Sequence, residues 1–260
     1  MALSPETRDR AAEVIARYPK PRSALLPLLH LVQSEEGYVS PEGIALCAEL
    51  LDLTKAEVSA VSTFYTMYKR RPVGEYHVGV CTNTLCAVMG GDAIYEALKD
   101  HTGITVQNGV TADGKVSLEH IECNAACDFA PVVMVNWEFF DNQTPESARS
   151  LVDSLRAGEP VSPTRGAASV CTWREASRIL AGFNDDQATD GPSAGPASLV
   201  GLKLAKKHGW TAPEPEHVSG DADQLAGAGS SAGSGPAGSG VSHADAANPR
   251  PGSSLGKESS

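Results

Sequence analysis

The sequence predicts an α+β chain in four parts: a helical bundle over residues 1–71, a small α/β layer over 72–160, a short helical extension over 161–183 and a mostly disordered tail over 184–260. Three observations predict it. Apolar residues recur at spacings of three and four in the first part and alternate in the second, the periods of helix and strand. Residues 1–71 are neutral, whereas residues 72–160 hold 4 basic and 13 acidic residues, net −9, together with four of the six cysteines. Residues 221–260 hold 8 Gly, 9 Ser and 8 Ala and no Trp, Phe, Tyr, Ile or Met, so they bury too little apolar surface to offset the entropy of ordering.

The elements follow in order. Ser4-Pro5 supplies an N-cap with Pro at the first helical position, and Ala11, Ala12, Val14 and Ile15 follow. Tyr18-Pro19-Lys20-Pro21 breaks that helix. A second helix is predicted over 23–33, with Leu25, Leu28, Leu29 and Val32 on one face, Pro27 tolerated near its first turn and Gly37 as its stop. Ser40-Pro41-Glu42 starts a third helix that carries Ile44, Cys47, Leu50 and Leu51, and Thr54-Lys55-Ala56-Glu57 fits the capping box of a fourth. The aromatic segment Phe64-Tyr65-Thr66-Met67-Tyr68 closes the bundle.

In the second part Tyr76, Val78 and Val80 alternate as in a strand. A helix is predicted over 88–101. Strands are predicted over 105–107 and 116–121, with Asp113-Gly114 turning between them. The continuous apolar run 132–135 reads as a strand buried on both faces. Thr144-Pro145-Glu146 caps a helix that ends near Gly158. This order packs helices on a mixed sheet. Thr172-Trp173-Arg174-Glu175 is a further capping box, with Gly182 as the stop. Within the tail, the island 199–210 (LVGLKLAKKHGW) reads either as a short amphipathic docking helix or as a poorly ordered remnant.

A net charge of −11 disfavours non-specific binding to nucleic acid or to an anionic membrane. No apolar run approaches the roughly 20 residues that cross a bilayer, and MALSPETRDR lacks the apolar core of a secretory signal. No direct membrane insertion and a cytoplasmic location are therefore expected. In a reducing compartment six cysteines point to metal or redox chemistry rather than to disulfides.

Cys81 and Cys86 form a C-x4-C pair at the end of the first strand, and Cys123 and Cys127 a C-x3-C pair after a later one. Both pairs sit at strand-to-loop transitions, so their loops can meet at one edge of the sheet. A thioredoxin-type dithiol needs C-x-x-C, which is absent. The plant-type ferredoxin spacing C-x4-C-x2-C would put a third cysteine where Met89 stands. Structural zinc, usually held by tighter knuckles, and a [2Fe-2S] cluster both remain open on spacing alone. Cys47 reads as a buried small hydrophobe and Cys171 as a spare thiol. The seven histidines form no ligand spacing, and His77 and His120 read as satisfied or surface residues of strands. Gly90-Gly91 lacks the G-x-G-x-x-G spacing of a dinucleotide loop and reads as helix packing.

Three segments carry a resemblance. They are Val80-Cys81-Thr82-Asn83-Thr84-Leu85-Cys86, Glu122-Cys123-Asn124-Ala125-Ala126-Cys127-Asp128-Phe129-Ala130-Pro131-Val132-Val133-Met134-Val135-Asn136 and Val61-Ser62-Thr63-Phe64-Tyr65-Thr66-Met67-Tyr68. Together they resemble the 24-kDa-type subunits of respiratory complex I, the E subunits of NADH-quinone oxidoreductase, a family of thioredoxin-like [2Fe-2S] ferredoxins, over residues 5–158. The resemblance implies helices before a thioredoxin-like domain, and a [2Fe-2S] cluster on Cys81, Cys86, Cys123 and Cys127. It implies no catalytic residue on this chain. FMN and NADH would sit on a partner subunit, with which the cluster exchanges one electron at a time. Neighbouring peripheral-arm subunits and a place at the inner face of the cell membrane, held through the complex, are implied as well. The same resemblance admits the equivalent diaphorase subunit of a soluble NAD-linked hydrogenase or formate dehydrogenase. A zinc-stabilised interaction module is the alternative of another class. Asn124-Ala125 departs from the Leu-Gly of many relatives. The net −9 of residues 72–160 disfavours the reduced state, while donors at Thr82, Asn83 and Asn124 are expected to oppose that effect.

Overall fold

Four helices open the chain, and side chains the sequence marks as caps hold the first turns of three of them. The computed structural model describes residues 3–107, 109–184 and 199–211. They begin with α1 (Pro5–Ala16), a 3-10 turn (Pro21–Ala24), α2 (Leu25–Glu36), α3 (Pro41–Leu51) and α4 (Lys55–Phe64). The Ser4 and Ser40 hydroxyls accept from the backbone of Thr7 and Gly43, and Thr54 and Glu57 complete a reciprocal capping box. Gly37 ends α2 at φ 82°, a left-handed position that suits glycine. The apolar faces bury Leu28, Leu29, Val32, Cys47, Val58 and Tyr68 in one core.

The sheet has five strands in the order β2-β3-β1-β4-β5: β1 (Tyr76–Cys81), β2 (Gly109–Val110), β3 (Val116–Ile121), β4 (Val133–Val135) and β5 (Glu138–Phe140). β1 runs parallel to β3, in register from Tyr76 opposite Val116 to Cys81 opposite Ile121. β4 lies antiparallel on the other side of β1, and β5 antiparallel to β4. The short helix α5 (Thr84–Val88) follows β1, then α6 (Gly91–Thr102), and α7 (Pro145–Ala157) follows β5. Ile94 and Leu98 of α6 and Leu151 and Leu155 of α7 pack on Val78, Val80, Leu118, Val133 and Val135 as a second core.

Three expectations need correction. The helix expected over 88–101 starts only at Gly91, after Gly90 turns the chain at φ 112°, and a short unpredicted helix precedes it over Thr84–Val88. Residues 105–107 are not a strand: Val106 O accepts from Gly109 N in a tight turn, and pairing with β3 begins only at Gly109. The strand β5 is additional. It folds back through Asn136 and Trp137, both with positive φ (48° and 75°), as a two-residue hairpin turn requires.

The short helical extension expected over 161–183 contains one helix. Its helix α8 (Trp173–Leu180) packs on α2. Trp173 is 1% exposed, and its Nε1 donates to Gly37 O at 2.8 Å. Gln33 of α2, fully buried, donates to Ser177 Oγ (3.2 Å) and Met67 O (3.1 Å) and accepts from Lys69 N (2.8 Å). Asn136 joins the sheet to the same region by accepting from His77 N and donating to Cys171 O. Residues 1–71, 72–160 and 161–183 thus differ in element type yet belong to one compact unit, Met1–Trp210.

The disordered tail expected over 184–260 lies outside the described residues except at 184 and 199–211. There the predicted island forms α9 (Val200–His208), with Val200, Leu202, Leu204 and Trp210 exposed. Among the described residues no helix is long and apolar enough to cross a membrane.

Candidate metal centre

Because β1 and β3 are parallel, both leave the sheet at the same edge, and ligands collect beyond the carboxyl ends of such strands. Cys81 is the last residue of β1, and Cys86 follows on α5. Ile121 ends β3 opposite Cys81, which brings Cys123 just past the same edge, and Cys127 opens a 3-10 turn (Cys127–Phe129). Cys81 N donates to Val132 O (3.0 Å), so the approach to β4 closes the remaining side. The result is one hollow lined by Cys81, Cys86, Cys123, Asn124, Ala126, Cys127 and Val132. All four predicted cysteines meet there.

The four thiols differ in depth. Cys81 and Cys86 are 2% and 3% exposed, whereas Cys123 and Cys127 face outward. The outer pair stands with its sulfurs 3.9 Å apart. A tetrahedral metal with metal–sulfur bonds of about 2.3 Å separates its ligand sulfurs by about 3.8 Å, so the outer pair already has a chelating spacing. The thiols stand as an inner and an outer pair, which suits the two irons of a [2Fe-2S] cluster. Ala126, Val132 and Met134, flanked by Ile121, Ala130, Trp137 and Phe139, form the apolar wall.

Local sequence sets this geometry. A Cβ on Gly91 would stand 2.4 Å from Cys81 O and 2.9 Å from Cys86 O, so α6 starts this close to the hollow only with glycine. The packing role expected of Gly90-Gly91 falls to Gly91, whereas Gly90 has open space around it and serves the turn at φ 112°. Asn83 Nδ2 donates to Ile121 O (2.9 Å) and to Cys81 Sγ (3.6 Å), joining the two loops and placing a donor on a sulfur. Asn124 Nδ2 instead donates to Glu122 O within its own loop. Ala125, in the departure from the family pattern, sits at φ 52°, where a glycine would be at ease.

Burial pushes the Cys86 thiol up to about 11, with Cys81 and Cys127 adding to the rise. Cys127 is raised chiefly by its hydrogen bond to Cys123. Both keep their protons until a cation replaces them, so metal binding here releases protons. Cys47 lies in the helical core, where burial raises its thiol to about 12, and Cys171 does not line the hollow. His77 is buried, with Nδ1 3.0 Å from Ser117 Oγ and Nε2 3.0 Å from Glu119 Oε2. Glu119 also pairs with the buried Lys69. The sequence reading missed this Lys69–Glu119–His77 cluster, since only the fold brings residue 69 beside β3.

The thioredoxin-like [2Fe-2S] ferredoxin family matches residues 11–156. The E subunit of NADH-quinone oxidoreductase from Mycobacterium tuberculosis is 63% identical over 204 residues, 78% of this chain and 80% of the relative. The protein of the same name from Rickettsia bellii is 40% identical over 149 residues, 56% of this chain and 89% of the relative. The NADH-quinone oxidoreductase subunit 2 of Thermus thermophilus is 36% identical over 162 residues, 61% and 89% respectively. Zinc, left open by spacing, gives way to the family's [2Fe-2S] cluster, which the paired thiols fit. The chain belongs to the thioredoxin-like [2Fe-2S] ferredoxin family, among the E subunits of NADH-quinone oxidoreductases.

Proposed function

We propose that Cys81 and Cys86 hold the inner iron and Cys123 and Cys127 the outer iron of the cluster, and that the chain passes single electrons as the E subunit of an NADH-quinone oxidoreductase. The observation that carries this reading is the gathering of four thiols, two buried and two exposed, at the carboxyl ends of β1 and β3 in a chain so close to named E subunits. When bound, a [2Fe-2S] cluster carries one electron. The chain's own groups do the rest. Cys86 and Cys127 surrender protons on loading. Ala126, Val132 and Met134 keep water from the inner pair. Asn83 donates to the Cys81 sulfur and favours the extra negative charge of the reduced state, which the net −9 of residues 72–160 opposes.

The partner is a flavin-bearing subunit that carries FMN and the NADH site. Leu85, Val88 and Met89 stand exposed around Cys86, and Phe64 and Tyr65 stand exposed at the end of α4. They supply apolar surface for that partner and for neighbouring subunits of the peripheral arm. Attachment through the complex places the chain at the inner face of the cell membrane.

The test is loading of the full chain with iron and sulfide. Substituting Cys81, Cys86, Cys123 or Cys127 by Ala is expected to abolish or severely deplete the visible absorption and the EPR signal of the reduced cluster. Cys47→Ala and Cys171→Ala are expected to keep both. Intact spectra after Cys123→Ala would sink the assignment.

A further inference from the structure

Beyond the stretch matched by the family, one arginine reaches back to the metal centre. The chain after α7 returns alongside β5: Thr164 N donates to Phe139 O at 2.9 Å, and Arg165 bridges Phe139 in antiparallel fashion. The Arg165 guanidinium lies 3.8 Å from the centre of the Phe139 ring and 5.4 Å from that of Phe129. Its Nε and Nη2 donate to the two oxygens of Asp141 at 3.0 and 3.3 Å. Both charged side chains are largely withdrawn from water, at 14% and 8% exposure.

The two rings belong to the site. Phe139 packs against the apolar wall of the thiol hollow. Phe129 ends the 3-10 turn that Cys127 begins, and its carbonyl accepts from Asn142 N at 2.8 Å. Whatever fixes Phe129 therefore fixes the short turn that aims Cys127. The outer cysteines are exposed, so their loop has little burial of its own to hold it.

We propose that Arg165 is a positioning residue for the outer ligand pair: its guanidinium, oriented by Asp141 and seated on the Phe139 ring, holds Phe129 in place and so keeps Cys127 at chelating distance from Cys123. The proposal rests on the reading of Cys127 as an iron ligand. A planar guanidinium suits the role, because it stacks on rings and binds a carboxylate through two donors at once, which an ammonium cannot do. Ligand groups held by such outer contacts keep their metal better than ligands on a free loop. Residue 165 lies outside the matched residues 11–156, yet any continuous stretch covering 78% of this chain includes it, so the segment is shared with the mycobacterial relative.

The experiment uses the full chain loaded with its cluster. Cluster loss to an excess of iron chelator is followed by visible absorption well below the unfolding temperature, with far-UV circular dichroism and the EPR line shape recorded alongside. Arg165→Ala is expected to lose the cluster about fivefold faster, the factor a lost cation–π contact of ordinary strength produces, with an altered line shape and unchanged circular dichroism. Arg165→Lys should recover only part of the retention. Phe129→Leu should reproduce the effect, and the double variant should be no faster than Arg165→Ala, because both act on one contact. A purely structural role would lower the thermal midpoint and leave release rate and line shape at wild-type values, and that result overturns the proposal. So do effects of Phe129→Leu and Arg165→Ala that multiply. If Arg165→Ala fails to fold, wild-type release from both Arg165→Lys and Phe129→Leu overturns it. Failure of the underlying reading looks different: the wild-type chain then takes up no [2Fe-2S] chromophore at all, and both readings fall.

Discussion

At the scale of single residues, the loop between the outer cysteines carries a left-handed non-glycine position. Ala125 stands at φ 52°, a conformation that costs a residue with a Cβ roughly 1–2 kcal/mol. Ala125→Gly is expected to raise stability by about 0.5–1 kcal/mol, after the greater chain entropy of unfolded glycine is subtracted, and to preserve the cluster spectrum. A lower urea midpoint would show that no strain resides there. The buried histidines set the acid limit. Burial pushes His30 down to about 4 and also lowers His77, where the hydrogen bond to Glu119 opposes it. Both folded values lie below the unfolded one, so the unfolded chain binds protons first as pH falls. Stability is present above about pH 6.5 and declines below it, by up to about 3 kcal/mol for His30 by pH 4. Burial alone would raise Glu119, but His77 and Lys69 outweigh it and lower it, so its contribution also fades as pH drops below the usual carboxylate range. His30→Phe, which keeps a ring beside Tyr68, is expected to show a smaller fall in urea midpoint between pH 7 and pH 5 than wild type. An equal fall would assign the acid sensitivity elsewhere.

At the scale of elements, caps and apolar stripes predicted α1 to α4, α7 and α8 because those signals are local. The misses are instructive. Asn136-Trp137 makes a turn that Asn-Gly usually announces, so β5 had no signal in the sequence. The capping box of α8 located the helix but not its docking on α2, since an eight-residue helix carries nothing that names its neighbour. Trp173 is the anchor of that docking. Trp173→Ala is expected to cost roughly 3–5 kcal/mol through the cavity and the lost donor to Gly37. Trp210→Ala, at an exposed position, should leave the thermal midpoint unchanged. Comparable midpoints for the two variants would contradict this packing account.

At the scale of the whole molecule, helical bundle, sheet and α8 form one body, and all the core residues named here precede residue 184. A chain truncated after Asn184 is therefore expected to keep its cluster spectrum and thermal midpoint. Loss of the cluster on truncation would make the later residues part of the fold. The truncated and the full chain should both fail to oxidise NADH alone and do so only with the flavin-bearing partner, as a stopped-flow assay with and without that subunit would register.

By itself, the sequence determined helices α1 to α4, α7 and α8, most of their caps, the central strand and the four candidate thiols. Those depend on residue spacing and on capping chemistry within a few positions of each other. The C-x4-C and C-x3-C pairs could be recognised, but spacing alone left zinc and iron–sulfur open, because a thiolate does not specify its metal. Tertiary structure decided what lies far apart along the chain. It set the parallel register that brings Cys81 level with Ile121, the burial that separates an inner from an outer pair, and the packing of Trp173 under Gly37. It also placed Arg165 over Phe129. The physical reason is range: local hydrogen bonds and steric preferences act over a few residues, whereas burial and ion pairing depend on which surfaces the folded chain brings together.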